Sequence, residues 1–251
     1  MEMILNNLAL STGKRVSYSF EAGTIHALCG SCRREIVRAI ALGSKQVLYG
    51  KSKSVVPVSY VPLKKQVNVQ KTVQEELNDV LGTCEMVFDH EKVSKIFEIL
   101  NIDMNILGKR ICDLTFREQK ALLTISALIG DSDVIILDSV EKGMHYKTRE
   151  NLKKYLRTLA SDYNKTIIVV TNDISFMFGF VDNYLLVDEK KHFVTGTKND
   201  FYAPALYCCL DIPKIVEFTN YINNYKERNI KEYVELKELL KAIYRDIENK
   251  R

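Results

Sequence analysis

Residues Gly23–Ile40, GTIHALCGSCRREIVRAI, decide the reading of this chain. Gly23 precedes Thr24–Cys29, an apolar run too short for a helix and suited to a strand buried on both faces. Gly30 and Ser31 break the run. From Arg33 the spacing of Ile36, Val37, Ile40 and Ala41 is helical, with an end near Gly43. A strand, a short glycine loop and a helix in that order is the first half of a parallel β-α-β unit.

The pattern repeats on both sides of that step. Met3–Leu10 and Val16–Phe20 read as strands joined by a turn at Ser11–Lys14, and Val47–Tyr49 and Val55–Val61 as two further strands. Thr72–Leu81 and Glu91–Leu100 read as amphipathic helices, and Thr115–Leu128 as a helix capped in the Asp113 region. Asp133–Asp138 (DVIILD) and Thr166–Thr171 (TIIVVT) are two more buried strands, with a helix over Thr148–Ser161 between them. Tyr184–Asp188 and His192–Thr197 form a closing strand pair. Buried strands alternating with helices predict an α/β fold with a mainly parallel core sheet, helices on both faces, and an antiparallel β subdomain. The helical subdomain spans about 72–130. Residues 1–200 read as one domain and 201–251 as a C-terminal helical domain, where Leu236, Leu239, Leu240, Ile243 and Ile247 recur at helical spacing. Core packing or dimerisation is expected of that stripe.

Composition bounds the function. The chain has 251 residues, 46% of them hydrophobic and 27% charged, enough for a real core and incompatible with disorder. A net charge of +4 gives no case for nucleic acid, and no apolar run is long enough to span a membrane. MEMILNNLAL carries no basic leader segment, and six cysteines are too few for a disulfide scaffold, so reduced thiols are expected. Cys29-x-x-Cys32 reads as structural filler, with a redox pair or a metal site as alternatives; the four histidines read as structural. Lys153, Lys154 and Arg157 read as a solvated basic face.

Three segments resemble one family. GTIHALCGSCRREIVRAI resembles the start of an ATP-binding cassette of the ABC transporter type. DLTFREQKALLTISALIGDSDVIILD resembles its signature helix and Walker B strand, and TIIVVTNDISFM its switch strand. The tail LDIPKIVEFTNYIN…YVELKELLKAI resembles the helical domain of ATPase subunits from energy-coupling-factor (ECF) importers. The resemblance implies a P-loop-NTPase-like cassette, ATP and Mg²⁺ as the family's cofactors, a second cassette subunit and a transmembrane transport component as partners, and a place on the cytoplasmic face of the membrane. It also implies that a groove over roughly Leu63–Val87 receives the coupling helices of the membrane partner.

The residues that do the family's chemistry are substituted. A phosphate loop wraps phosphates with backbone N–H groups, sends a Lys to the β/γ phosphates and ligates Mg²⁺ with Ser or Thr. Aligned on Arg38-Ala39-Ile40, this chain has Cys32 at the second glycine, Arg33 at the lysine, Arg34 at the Ser/Thr and Glu35 next, in a loop Gly30-Ser31-Cys32 three residues short. Gly50-Lys51-Ser52 lacks the upstream glycine and precedes no helix. Asp138 keeps the Walker B carboxylate, the one candidate metal ligand, or else simply bonds at a strand end; Ser139 replaces the Glu that polarises water. The signature becomes Leu114-Thr115-Phe116-Arg117-Glu118, with Phe116 and Arg117 where glycines leave room. Asn172 stands for the switch His between Thr171 and Asp173, Leu63 for the Q-loop Gln, and His145 for the D-loop Asp; the adenine-stacking aromatic has no counterpart near Ser11–Gly13. No catalytic residue and no cofactor are therefore expected. The leading expectation is a catalytically impaired structural or regulatory subunit of a membrane transport complex. A diverged ATPase in a heterodimer with an intact subunit is the alternative, and a soluble anion or nucleotide sensor using Arg33 and Arg34 is the third.

Overall fold

The computed structural model describes residues 2–49, 58–61, 70–188, 193–200, 210, 213–225, 230, 233 and 236–248. Strands β1 (Met3–Ala9), β2 (Arg15–Phe20) and β4 (Val47–Tyr49) form an antiparallel sheet in the order β2-β1-β4. The second sheet runs β5-β6-β7-β3-β8-β9, built from β3 (Ile25–Cys29), β5 (Val58–Val61), β6 (Val134–Asp138), β7 (Thr166–Val170), β8 (Asn183–Val187) and β9 (Phe193–Thr197). Its first five strands are parallel, and β9 returns antiparallel along β8.

Every residue of β3, β6 and β7 is buried, and side-chain alternation divides them between two cores. Ile25, Ala27, Ile135, Leu137, Ile167 and Val169 face one core. It is completed by α2 (Val73–Thr83), α3 (His90–Leu100), α4 (Phe116–Ile129) and α5 (Tyr146–Ser161). Leu28, Val134, Ile136, Ile168 and Val170 face the other, against α1 (Arg33–Ala41) and the antiparallel sheet. The parallel strands therefore hold a rigid edge at their carboxyl ends, where the loops carrying Gly30, Ser139, Thr171 and Val187 come together.

Helix caps fix the starts of the helical insertion. Thr72 caps α2 in a reciprocal box with Glu75, and Asp89 caps α3. The cap of α4 is Thr115 rather than the Asp113 region, because residues 111–113 form a separate short 3₁₀ turn. A short α6 (Ile174–Met177), absent from the sequence reading, starts at Asp173. In the C-terminal region α7 (Lys214–Tyr225) and α8 (Leu236–Glu248) are helical. Of the predicted α8 stripe only Leu239 is fully buried; Leu236, Leu240 and Ile247 are exposed, so the stripe is not core within this chain.

Candidate functional site

The loop between β3 and α1 is closed from inside. Gly30 holds φ +93, which a residue with a side chain rarely adopts. A Cβ there would also sit 2.7 Å from the Val187 carbonyl carbon and overlap its oxygen. The Gly30 N–H donates to Asn172 Oδ1 at 3.0 Å, and the Cys32 N–H donates to the Val187 carbonyl at 3.2 Å. Ser31 Oγ donates to Asp188 Oδ1 at 2.6 Å. Arg33 turns back and donates from Nη1 to the Gly30 carbonyl at 2.6 Å, while its Nε is buried with no partner among the described residues. Arg34 is exposed. The Glu35 carboxylate does not lie across the helix entrance; it accepts the Ser11 N–H at 2.8 Å and the Ser11 hydroxyl at 2.5 Å. Those two bonds hold its pKa down and tie α1 to the turn after β1.

Two of the loop's backbone donors are used within the chain. A phosphate cradle needs N–H groups pointing outward. Here the Gly30 and Cys32 N–H groups are spent on Asn172 and Val187, and the Arg33 side chain is folded back onto the Gly30 carbonyl. Arg34 has no oxygen to offer a metal.

Behind the loop lies a buried charged group. Asp138 is 2% exposed and accepts the Ser139 hydroxyl at 2.9 Å. Ser139 sits at φ +53, with its N–H bonded to the Val170 carbonyl at 2.8 Å. Lys120 of α4 is buried and points its ammonium at the Ser139 carbonyl, 3.5 Å away. Glu141 is also buried; Oε1 accepts the Thr171 hydroxyl at 2.7 Å, and Oε2 has no partner among the described residues. Burial raises the Glu141 pKa despite the Thr171 bond. Burial lowers that of Lys120, while Asp138 and Glu141 act against the shift. Burial and then Arg34 disfavour the charge on Arg33, and Asp138 and Glu141 favour it. Two cations thus face two carboxylates within the protein. Sequence reasoning missed Lys120 and Glu141; the available signal was a lysine among the apolar positions of one helix and a glutamate two residues past Ser139.

The other motif positions have structural partners. Leu114 is buried. Thr115 accepts the Glu118 N–H at 3.3 Å, and Glu118 Oε2 accepts both the Thr115 N–H and its hydroxyl at 2.7 Å. Arg117 donates to the Asn101 carbonyl at 3.1 Å, and Phe116 is 69% exposed. Asp173 caps α6 and pairs with Arg149 at 3.4 Å. His145 precedes α5 without capping it by its side chain. Cys29 and Cys32 are buried, the Cys29 thiol 3.6 Å from the Leu185 carbonyl. Leu63 and Gly50-Lys51-Ser52 lie outside the described residues, as does the first part of the Leu63–Val87 groove.

No family model matches the chain. Over 146 residues it is 29% identical to a putative ABC transporter ATP-binding protein of Clostridium tetani, covering 58% of this chain and 33% of that protein. Over 116 residues it is 28% identical to an energy-coupling factor transporter ATP-binding protein of Staphylococcus saprophyticus, covering 45% of this chain and 40% of that one. The chain thus spans about a third of the length of the first curated relatives it matches. An ATP-binding subunit of an ABC transporter superposes with a TM-score of 0.68 at 12% identity, covering 84% of this chain and 96% of that one. A dimeric bacterial ABC transporter cassette does so with 0.67 at 14%, covering 79% and 99%. The fold is that of the ATP-binding cassette, and the chain's sequence relatives are the ATP-binding proteins of ABC transporters, energy-coupling-factor subunits among them.

Proposed function

We propose that the chain is a cassette subunit that does not turn over ATP by itself and serves as a structural or regulatory partner in a membrane transport complex of the ECF importer type. The observation that carries this reading is the internal use of the loop's own donors: Asn172 takes the Gly30 N–H, Val187 takes the Cys32 N–H, and Arg33 is bonded to Gly30. Opening the loop for a phosphate would break these bonds and leave Asn172 and the Val187 carbonyl to find other donors. Each bond is worth about 1 kcal/mol net, more where the group left behind is buried. Ser139 adds the second half of the reading, since no carboxylate occupies the position next to Asp138 that would activate water. In this role the chain pairs with a second cassette subunit and docks under a transmembrane component on the cytoplasmic face.

Titration of the purified chain with ATP, with and without Mg²⁺, tests the reading by calorimetry and melting temperature. A ligand at about 100 times its Kd stabilises a fold by about 2.7 kcal/mol, an easily resolved shift. No heat and no shift at millimolar ATP is the expected result. A Mg²⁺-dependent shift would mean that the loop opens, and the diverged-ATPase reading would replace this one.

A further inference from the structure

A trough of about 1060 Å³ runs between α5, the turn after α6, and the starts of α7 and α8. Its described lining includes Lys153, Lys154, Arg157, Lys214 and Lys237, with Glu150 the single acid. Among the described residues, five basic side chains and one acidic one line it. The described lining is therefore strongly cationic. The basic cluster that reads from sequence as a solvated face is one wall of a concavity.

The cations are of two kinds. Two are held by neighbouring groups. The Lys153 ammonium lies 5.2 Å and 5.8 Å from the centres of the Phe176 and Phe180 rings and pairs with Glu150 at 3.1 Å. Arg157 is held by Asp182 at 2.6 Å and by the Phe180 carbonyl. The other three, Lys154, Lys214 and Lys237, are exposed on the rim and form no ion pair with a described residue. The apolar part of the lining is buried Phe178 and Phe180, half-buried Ile215 and exposed Leu236.

We propose that this trough binds an acidic, extended peptide segment of a partner protein. Charge complementarity sets the sign of the occupant. Shape selects among anions: a flat bilayer surface matches a concave trough less well than a single extended chain does. The Phe176 and Phe180 rings are covered by the Lys153 ammonium, so they offer bases no open stacking platform of the kind single-stranded nucleic acid uses. The α5 wall from Tyr146 to Arg157 is about 16 Å long at about 1.5 Å per residue, the length of about five residues of extended chain. An acidic segment with interspersed apolar residues matches the lysine rim and the apolar part of the lining together.

The test uses the full chain and fluorescence anisotropy of a labelled oligoglutamate peptide, beside oligouridylate and vesicles of phosphatidylcholine with phosphatidylserine. Saturable peptide binding is expected, weakened roughly tenfold or more in the triple variant Lys154→Glu, Lys214→Glu, Lys237→Glu and unchanged in Lys95→Glu on α3. The reversed variant should instead bind oligolysine. If the triple reversal perturbs folding, the triple Lys→Gln variant gives the same readout with a smaller change. Absence of peptide binding, equal weakening by Lys95→Glu, or tighter binding of oligouridylate or vesicles that the triple variant abolishes would each overturn the proposal.

Discussion

Val187 closes the loop over Gly30: its carbonyl accepts the Cys32 N–H at 3.2 Å and occupies the space a Cβ on Gly30 would need. The end of β8 and the loop after the neighbouring parallel strand β3 are thereby locked together. Gly30→Ala combines a positive φ with this overlap, for an expected loss of roughly 2–4 kcal/mol. Urea denaturation of the variant measures it. A loss within about 0.5 kcal/mol, the range of ordinary surface substitutions, would mean that the loop moves freely away from Val187.

That closure was not legible in the sequence, whereas most of the scaffold around it was. DVIILD and TIIVVT announce buried strands because local apolar content alone decides that outcome. Thr72 and Glu75 announce a helix start because a capping box is a contact between near neighbours. The loop Gly30-Ser31-Cys32 and the arginines after it are equally visible in sequence, but not where their hydrogen bonds go, since Asn172 and Val187 are brought in by the sheet and not by the chain order. The α8 stripe shows the same boundary. Its periodicity reports an amphipathic helix, yet Leu239 is buried, Ile243 half-buried, and Leu236, Leu240 and Ile247 are exposed.

His26 gives the fold a dependence on pH with a defined sign. The ring is fully buried between Tyr18 and Thr24, whose hydroxyls lie 3.1 Å from Nδ1 and 2.7 Å from Nε2, and Phe20 meets it edge-on at 5.1 Å. Burial lowers its pKa to about 4 from the ordinary 6.5. Between those values the unfolded chain binds the proton and the folded chain does not, so the stability is complete above pH 6.5 and is lost as pH falls toward 4. Moving from pH 8 to pH 5 should remove about 2 kcal/mol, and His26→Gln should flatten that slope. Equal slopes for the parent and the variant would remove His26 as the cause.

Glu141 titrates with the opposite sign. Its raised pKa means that the fold favours the protonated acid, so this contribution is complete below the unfolded value of about 4.3 and declines as pH rises through the folded one. One carboxylate oxygen is bonded to Thr171 and the other has no partner among the described residues, so ionisation at higher pH leaves a buried charge poorly compensated. Glu141→Gln keeps an acceptor for the Thr171 hydroxyl and removes the charge, so it should stabilise the protein at pH 8, with the gain closing as the pH falls to 4. Thr171→Val deletes the donor and leaves the buried carboxylate unbonded, for an expected loss of roughly 1–3 kcal/mol at pH 8. Denaturant titrations of both variants at the two pH values separate the contributions. If Glu141→Gln is the less stable protein at pH 8 but not at pH 4, the attraction of Arg33 for the ionised carboxylate outweighs its burial, and the charged group behind the loop is a net stabilising pair.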